Sequence, residues 1–367
     1  MKALVVGAGQ MGMAIAYAMR KLAFDVVVVD VFPDLLEKAQ KKLESLDQKC
    51  EYSLLKDIFI IKEVDFDVCI SAAPFNSNKT WAKWCKERKV PYCDLGGNKD
   101  VSDSIHQISI ELNPHIPVFT DLGLAPGYIN ILTENIYKEF LKYGEPQDIY
   151  LRCGGLPIDV DISPLNYALV FSVQGLVNEY MGNCQTLSDG KSQEVGALTG
   201  LEGLKTKHGK FEAFNTSGGL STLFESMQKK GVKNLNYKTI RYPGHYAQLK
   251  KRKTPSLLEF FKDCPKTTED MVVIRILAQN NDYILINDIK ITHSQDWTAM
   301  QQGTAFPAAA VAAIMAEKAW NKPVLTYEDM PFDIFSKKLN IIGMNEEFSL
   351  EVRKTSLFKR LYNRIFK

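Results

Sequence analysis

The chain has 367 residues, of which 46% are hydrophobic and 24% are charged, a composition ordinary for a soluble globular protein with a sizeable core. Its formal net charge of +2 gives no indication of a nucleic-acid or acidic partner. At about 150 residues per domain, two domains are expected.

Cysteine spacing and hydropathy favour a cytoplasmic protein. The seven cysteines are scattered, with no C-x-x-C pair. This fits reduced thiols better than a disulfide framework or a zinc site, so we expect no bound metal. The chain starts with a predicted strand, so we expect no signal peptide. The longest apolar run, at 305–316, has about 12 residues, short of the roughly 20 that cross a bilayer.

The first thirty residues predict a dinucleotide-binding unit. An apolar strand beginning at Lys2 runs into G-x-G-x-x-G, a helical pattern follows at 13–21, and a second apolar run at 26–30 ends in a carboxylate. The first glycine permits a tight turn, the second lets a pyrophosphate approach the backbone, and the third lets the helix pack against the strand. The predicted cofactor contacts in this stretch are Gly7, Gly9, Gln10, Met11, Gly12 and Asp30.

The carboxylate of Asp30 selects between the two nicotinamide cofactors. It accepts hydrogen bonds from ribose hydroxyls and would repel a 2′-phosphate. No Arg follows in residues 31–34, so NAD is favoured over NADP. The alternative is a glycine turn in an α/β domain that binds no ligand.

Strands and helices alternate as far as residue 121. Helices are predicted at 33–46, 76–89 and 100–112, and strands at 49–54, 67–74, 90–97 and 116–121. This alternation predicts an α/β fold, a doubly wound parallel sheet of Rossmann type. Loops at the carboxyl ends of such strands lie beside the nicotinamide. We therefore predict backbone contacts to the cofactor from Ser71, Ala72, Pro74 and Gly96.

The pattern changes after Asp121. Residues 121–127 carry two glycines and a proline after a strand end. The later predictions are helices at 128–141, 164–181, 221–230 and 298–319, strands at 148–153 and 237–241, glycine loops at 154–157 and 214–220, and hairpins at 185–191 and 271–292. This mixture predicts a second, mixed α/β (α+β) domain, after which residues 332–343 return to the first sheet.

These patterns predict domain boundaries. The first domain comprises 1–122 and about 297–345, the second comprises 123–296, and a basic tail covers 346–367. Leu357, Leu361 and Ile365 share one helical face of the tail. A solvated helix or packing arm is favoured over a membrane-surface or partner helix.

Six segments, in family order, resemble the saccharopine dehydrogenase superfamily, most closely its lysine 6-dehydrogenase branch. They are GAGQMG at 7–12, DLGLAPG at 121–127, CGGLP at 153–157, NTSGG at 215–219, RYPGH at 241–245, and TAM at 298–300 with its following helix. The resemblance implies a Rossmann domain and a mixed α/β domain that binds an amino acid and supplies the subunit contact, and hence a homodimer or higher homo-oligomer.

The resemblance also implies NAD(P)-linked oxidation at a carbon bearing nitrogen, through an imine. In a lysine 6-dehydrogenase the ε-carbon loses hydride, and the imine hydrolyses to a semialdehyde that cyclises. Relatives that form saccharopine or carboxynorspermidine instead condense an amine with an aldehyde reductively. For this alternative we expect a second basic anchor, such as Lys205, Lys207 or Arg152.

Three side chains suit C–N oxidation. Arg241, at a strand end, is predicted to anchor a carboxylate by a bidentate fork; the alternative is a structural ion pair. Asp121 is predicted to hold the α-amine or to accept a proton; the alternative is a cap for the following helix. His245 suits proton transfer near neutrality, but it would serve equally as a buried structural residue.

The resemblance adds three further residues. It places Cys153 beside the nicotinamide, where packing is favoured over nucleophilic attack because hydride transfer needs no nucleophile. Asn215 and Thr216 would offer polar groups to the substrate, unless they only form a turn. We therefore predict an NAD-dependent dehydrogenase acting on the C–N bond of an amino acid, with L-lysine first. The rival from another class is a non-catalytic NAD-binding sensor or scaffold.

Overall fold

The computed structural model describes residues 1–55, 65–163, 165–251, 262 and 264–355. The chain forms two compact units. The first comprises Met1–Tyr128 and Gln301–Met344, and the second comprises Ile129–Met300 and Asn345–Lys367. The chain therefore leaves the first unit after Tyr128, returns to it at Gln301 and leaves it again after Met344.

Helices and strands cover most of the described chain. The helices are α1 (Gln10–Lys21), α2 (Pro33–Glu44), α3 (Asn78–Glu87), α4 (Lys99–Glu111), α5 (Tyr128–Phe140), α6 (Val173–Glu179), α7 (Leu223–Lys229), α8 (His245–Lys250), α9 (Ala299–Glu317) and α10 (Phe332–Ile342). The strands are β1 (Lys2–Val6), β2 (Asp25–Asp30), β3 (Glu51–Leu54), β4 (Val68–Ser71), β5 (Tyr92–Asp94), β6 (Val118–Phe119), β7 (Asp148–Pro157), β8 (Asn183–Ser188), β9 (Lys191–Gly196), β10 (Glu202–Thr206), β11 (Gly209–Asn215), β12 (Asn234–Arg241), β13 (Asp270–Gln279), β14 (Tyr283–Thr292) and β15 (Glu346–Lys354).

The first unit contains the predicted parallel sheet. Its six strands are ordered β3-β2-β1-β4-β5-β6, and every neighbouring pair is parallel. The interiors of β1 and β2 are buried throughout, as expected of parallel strands covered on both faces. The strand order reverses beside β1, which is where a doubly wound sheet opens a ligand crevice at its carboxyl edge. The predicted Rossmann fold is confirmed.

The second unit contains a nine-stranded mixed sheet. Its main path is β10-β11-β12-β7-β13-β14-β15, and the β8–β9 hairpin pairs with β12. Among the described strands of this sheet, only β12 and β7 pair in parallel. Cys153 is the register partner of Thr239, and Arg152 that of Lys238. Because successive side chains point to opposite faces, Cys153, Thr239 and Arg241 share one face, here the Cys153 face. Arg152 and Lys238 share the other, the Arg152 face.

The predicted helix at 164–181 is wrong over most of its length, since only Val173–Glu179 is helical. The Ser163 hydroxyl accepts the N–H groups of Leu165 and Tyr167, and Asn166 has a φ of 51°. Local side-chain bonds of this kind compete with helix formation. Ser172 then caps the short helix by accepting the Gly175 N–H at 3.1 Å.

The glycine loop predicted at 154–157 is part of β7. A Cβ on Gly154 would lie 2.2 Å from the Ile240 carbonyl oxygen, so glycine allows the neighbouring strand to approach. The hairpin of β10 and β11 was not predicted. The strand predicted at 116–121 is only Val118–Phe119, and residues 332–343 form α10 in the first unit.

The tail predicted at 346–367 begins as a strand. Glu346–Lys354 pairs with β14 in the second sheet. Phe348, Leu350 and Val352 alternate with polar residues, and this period of two favours a strand over a helix. Leu357, Leu361 and Ile365 lie outside the described residues.

Candidate active site

The glycine loop after β1 is built around a backbone contact. Gly7 has a φ of +96° and donates its N–H to the Val29 carbonyl at 2.8 Å. A Cβ on Gly12 would lie 1.8 Å from the Gly7 carbonyl oxygen. Helix α1 therefore packs against the loop at a distance that only glycine permits at position 12.

Gly9 is different, because protein packing does not require it. A Cβ there would meet no protein atom within 4 Å. Gly9 is the N-cap of α1, with no side-chain capping bond and no acidic residue in the first turn. Gln10 is exposed and Met11 is half-buried. Open space beside an uncapped helix start fits a pyrophosphate, which would receive the N–H groups.

Asp30 ends β2 with its carboxylate already oriented. Its Oδ2 accepts the Ala8 N–H at 2.7 Å, and its Oδ1 accepts the Phe32 N–H at 2.9 Å. A carboxylate offers about four acceptor sites. Asp30 can therefore hold the glycine loop in place and still accept bonds from ribose hydroxyls.

The loop after β4 lies beside the glycine loop. A Cβ on Gly7 would lie 3.1 Å from the Ala72 backbone, and Ala72 donates its N–H to the Val6 carbonyl. The buried Ser71 hydroxyl donates to Oδ1 of Asn78 at 2.8 Å, while Pro74 is exposed. This segment therefore lies beside the glycine loop at the carboxyl end of β4, and its backbone contact with the nicotinamide stays a prediction.

Asp121 lies just beyond β6, next to a second buried carboxyl. Its backbone N–H donates to Oδ1 of Asp94 at 3.3 Å, and its Oδ1 accepts the Ser102 hydroxyl at 2.9 Å. A Cβ on Gly96 would lie 2.4 Å from Asp121 Oδ1. Gly96 therefore permits a close backbone approach to this carboxylate. Burial and the nearby charge of Asp121 raise the pKa of Asp94 to about 7.

In the second unit, Arg241 is buried in a polar cluster on the Cys153 face. Its Nε donates to the Tyr180 hydroxyl at 2.8 Å, its Nη1 to the Ile240 carbonyl at 2.9 Å, and its Nη2 to Oε2 of Glu179 at 3.0 Å. The guanidinium carbon lies 4.8 Å from the centre of the Tyr167 ring. These hydrogen bonds use three of the five guanidinium N–H groups.

His245 continues this cluster and is completely buried. Its Nδ1 lies 2.7 Å from the Leu165 carbonyl oxygen, and its Nε2 lies 2.9 Å from the Tyr180 hydroxyl. A carbonyl only accepts, so in the neutral ring Nδ1 carries the hydrogen and Nε2 accepts from Tyr180. Tyr180 in turn accepts from Arg241. The ring therefore orients Tyr180 and, through it, the guanidinium.

The remaining predicted substrate residues separate onto two faces. Cys153 is buried, and burial raises the pKa of its thiol, so it is a neutral packing group. The buried Thr216 hydroxyl lies 2.7 Å from that of Thr239 on the same face. Asn215 instead pairs in register with Lys238 on the Arg152 face and donates to the Thr199 hydroxyl at 3.0 Å. The structure does not bring Asn215 to the Arg241 cluster.

Four residues of these two clusters were missed by sequence reasoning: Asp94, Tyr167, Glu179 and Tyr180. Asp94 ends a predicted strand at the same edge as Asp121, a position that would have identified it. Glu179 and Tyr180 fell inside the overlong predicted helix, where an acid and a tyrosine carry no signal.

Within the described parts of the chain, no helix is long and apolar enough to cross a membrane. The same residues contain no group of three or more His, Cys, Asp or Glu side chains placed to hold a metal ion. Burial is the shared feature of six of the seven cysteines, and Cys50 is half-buried.

Two protein-family profiles match the chain. Residues 2–65 match the NAD-binding domain of 3-hydroxyacyl-CoA dehydrogenase, and residues 123–266 match the saccharopine dehydrogenase C-terminal domain. The first match supports a nicotinamide cofactor. The second match is a similarity to saccharopine dehydrogenases that is limited to residues 123–266.

Solved structures are similar to this chain to different extents. Apo saccharopine dehydrogenase (L-Glu forming) from Saccharomyces cerevisiae superposes with a TM-score of 0.69 at 16% identity, over 97% of this chain and 100% of that one. A myo-inositol dehydrogenase from Corynebacterium glutamicum gives 0.42 at 11% identity, over 93% and 94%. A 3-hydroxyacyl-CoA dehydrogenase from Archaeoglobus fulgidus gives 0.24 at 27% identity, over 30% and 39%. Of these three, the yeast enzyme has the TM-score that supports the overall architecture.

Proposed function

We propose that this protein is an NAD-dependent dehydrogenase that oxidises a C–N bond of an amino acid, with L-lysine 6-dehydrogenase activity as the first candidate. The observation that carries the proposal is the Arg241–Glu179 pair in the segment that matches the saccharopine dehydrogenase C-terminal domain. A cation and an anion held side by side complement the α-carboxylate and α-ammonium of an amino acid. Arg241 would bind the carboxylate and Glu179 the ammonium.

The cofactor preference rests on Asp30. Gly7, Gly9 and Gly12 would seat the pyrophosphate, and Asp30 would bind the ribose hydroxyls and repel a 2′-phosphate. When bound, NAD would accept the hydride lost by the substrate carbon. No step assigned to the protein's own side chains requires a metal.

Asp121 is the proposed proton acceptor. An ammonium cannot release hydride from its carbon until it has lost a proton. Asp121, oriented by the Ser102 hydroxyl, would take that proton. The substrate carbon then loses hydride and becomes an iminium, which water converts to the aldehyde and an ammonium ion. The balance is one ammonium substrate, NAD⁺ and water giving the aldehyde, ammonium, NADH and one proton.

The alternative activity is reductive condensation to a saccharopine- or carboxynorspermidine-type product. It needs a second basic anchor for a second carboxylate. Arg152 is unsuited to that role beside Arg241, because it lies on the opposite sheet face and is paired with Glu202 at 2.5 Å. Lys205 and Lys207 remain candidates for this alternative. A non-catalytic NAD sensor would have no use for an amino-acid-binding charge pair.

The decisive experiment uses purified full-length protein and NADH absorbance. We expect L-lysine with NAD to generate NADH, and L-lysine deuterated at C6 to transfer its label to the reduced cofactor. If NADH is produced with another amine instead, the protein is still a dehydrogenase of C–N bonds, but L-lysine is not its substrate. If no amine is oxidised, and no aldehyde–amine pair consumes NADH, the enzyme proposal is wrong.

Two properties follow from the same proposal. We expect a cytoplasmic homodimer or higher homo-oligomer that binds neither nucleic acid nor membrane. Light scattering after gel filtration would give the mass in solution. A mass of one 41.4 kDa chain at micromolar concentration would contradict the oligomer.

A further inference from the structure

We propose that β15 is the dimerisation strand of this protein, and that it pairs antiparallel with β15 of a second copy across a two-fold axis at Leu350. The inference rests on the homo-oligomer expected under the proposed function, and it names the surface that forms it. It does not depend on which reaction the protein catalyses.

The strand β15 forms an outer edge of the second sheet. Its nine residues, Glu346–Lys354, pair with β14 in an unbroken register, and β14 is its only neighbour among the described strands. It contains neither proline nor a β-bulge, which are two features by which natural edge strands avoid pairing with another chain. Within the described chain, the outer edge of β15 is therefore available to a further strand.

The hydrogen bonds at the two ends of β15 show which backbone groups face this edge. The Thr292 N–H donates to the Asn345 carbonyl at 3.1 Å. At the other end, the Thr355 N–H donates to the Asp282 carbonyl at 2.7 Å. Opposite residues of an antiparallel pair alternate between hydrogen-bonded and non-hydrogen-bonded positions. The odd-numbered residues of β15 therefore bond to β14, and the even-numbered residues direct their N–H and C=O groups outwards.

A two-fold axis at Leu350 makes this strand complementary to itself. The outward-directed residues then pair with one another, Leu350 with its own copy and Phe348 with the partner subunit's Val352. On each side of the axis, the exposed Glu347 lies opposite the partner subunit's Arg353. Apolar pairs and pairs of opposite charge each stabilise antiparallel strands when they lie directly opposite. A contact of this isologous kind closes a homodimer.

The neighbouring registers bring like charges together. Because outward-directed residues alternate along the strand, the partner strand can slide only by two residues at a time. Sliding it one way places Glu347 opposite the partner subunit's Glu351, and sliding it the other way places the two copies of Glu351 opposite each other. Like charges in these positions destabilise a strand pair. The order of charges in β15 therefore favours the axis at Leu350.

The strand also carries an apolar row for such a contact to cover. Phe348, Leu350 and Val352 are 54%, 43% and 37% exposed, and their register places all three on the Cys153 face. In the dimer, the rows of the two copies join into one across the axis. A long edge strand with exposed apolar residues is a site of association with another chain.

The first test reverses one charge at a time in the full-length protein. Glu347→Arg brings like charge to the partner subunit's Arg353, and Arg353→Glu brings like charge to the partner subunit's Glu347, at two positions in each dimer. We expect either change to raise the dimer dissociation constant, measured by sedimentation equilibrium, by about tenfold or more. Glu37→Arg and Lys41→Glu, at an exposed ion pair of α2, make the same charge changes and should leave the constant unchanged.

The second test mixes the two variants. A heterodimer of Glu347→Arg with Arg353→Glu again joins opposite charges at both positions, so the equimolar mixture should regain the parental affinity. Misfolded chains would not recover in this way. The proposal is overturned if the mixture stays as weak as its components, or if the single variants dimerise as the parent does.

A parent protein that remains a single 41.4 kDa chain at micromolar concentration also overturns the proposal, and leaves the edge to another protein or to the chain's own tail. Because the dimer is measured without substrate, a failure to oxidise any amine counts against the proposed function alone.

Discussion

The Nη2 atom of Arg241 donates a hydrogen bond to Oε2 of Glu179 across 3.0 Å, and the two residues are 62 positions apart in the chain. Arg241 is almost fully buried, whereas the Glu179 side chain retains 28% of its exposure. The guanidinium is therefore fixed by hydrogen bonds to Tyr180 and to the Ile240 carbonyl. Its third partner, the Glu179 carboxylate, is the one that solvent reaches. Both interpretations of Arg241, carboxylate anchor and structural ion pair, agree with this geometry, so they must be separated by experiment.

Arg241→Lys separates the carboxylate anchor from the structural ion pair when its kinetics are measured with two different amines. Lysine keeps the charge but loses the planar fork, so we expect the KM for L-lysine to rise by about 10- to 100-fold, the equivalent of one charge-assisted hydrogen bond of roughly 1.5–3 kcal/mol. Cadaverine lacks the α-carboxylate, so its kcat/KM should be insensitive to the substitution. Steady-state kinetics with both amines measures the difference.

The matched control for that substitution is Arg353→Lys, at an exposed arginine of β15 paired with Glu351. It should leave the steady-state kinetics with both amines unchanged. A parallel loss with both amines, together with a fall of about 3–5 kcal/mol in the free energy of unfolding, would show that Arg241 is a structural ion pair.

His245 should act on stability through Tyr180. In His245→Leu, the buried Leu165 carbonyl and Tyr180 hydroxyl each lose a partner, so unfolding should become easier by about 2–4 kcal/mol. Tyr180→Phe removes the hydroxyl alone and should cost less. Because both changes break the same chain of bonds, the double variant should cost less than the sum. Urea denaturation of the four proteins gives the coupling, and strict additivity would argue against the chain.

The strand, glycine loop and helix at the start of the first unit were predictable because their signals are local. Gly7, Gly9, Gly12 and Asp30 lie within 24 consecutive positions, and together they form a local pattern that is typical of this strand–helix–strand order. The structure adds one feature, which is that Asp30 also ties down the Ala8 N–H.

The polar cluster around Arg241 was predictable only in part. Arg241 and His245 were identified through a motif, but their partners are Glu179, the last residue of α6, and Tyr180, its C-cap, more than 60 positions earlier. Hydrogen bonds to the Ser163 hydroxyl prevent a helix over most of 164–181. The spacing of apolar residues does not reveal such side-chain hydrogen bonds. The face that carries Asn215 likewise depends on the register of β11 against β12, which the sequence pattern leaves open.

Substitution by alanine should have different effects at Gly12, where it lowers stability, and at Gly9, where it weakens NAD binding. Gly12→Ala places a Cβ 1.8 Å from the Gly7 carbonyl oxygen, so we expect a loss of unfolding free energy on the order of 3 kcal/mol. Gly9→Ala meets no protein atom within 4 Å and should cost about 1 kcal/mol or less. It should nevertheless weaken NAD binding by roughly tenfold or more, the equivalent of about 1.4 kcal/mol.

Thermal unfolding and NADH fluorescence titration distinguish the two glycines. Normal NAD affinity in Gly9→Ala would mean that the pyrophosphate does not approach at that position.

Asp30→Ala tests the choice of cofactor. Each lost hydrogen bond from ribose to the carboxylate should cost about 1.5–3 kcal/mol of NAD affinity. NADP should lose less, because the substitution also removes the charge that repels a 2′-phosphate. The ratio of the two dissociation constants is the informative quantity. Asp34→Ala, at an exposed acid in the first turn of α2, is the control and should leave the ratio unchanged. If Asp30→Ala still prefers NAD over NADP, a residue other than Asp30 selects the cofactor.

Asp94 should make the protein less stable as the pH rises. Burial and the charge of Asp121 raise its pKa from 3.8 to about 7. Between those values the folded state binds a proton that the unfolded state has released. The free energy of unfolding therefore falls with increasing pH, by up to about 1.4 kcal/mol per pH unit from this group, and the fall ends above about pH 7. Asp94→Asn removes the contribution, so urea denaturation from about pH 5 to 8 should give a flatter profile.

Asp270 contributes a slope of the same sign, since burial raises its pKa to about 6. It accepts the N–H groups of Ala299 and Met300 at the start of α9. Only the difference between the parent profile and that of Asp94→Asn therefore isolates Asp94. The exposed Asp103→Asn should reproduce the parent profile. Parallel profiles for Asp94→Asn and the parent would mean that Asp94 is ionised throughout this range, and that the close approach to Asp121 is balanced by its amide donors.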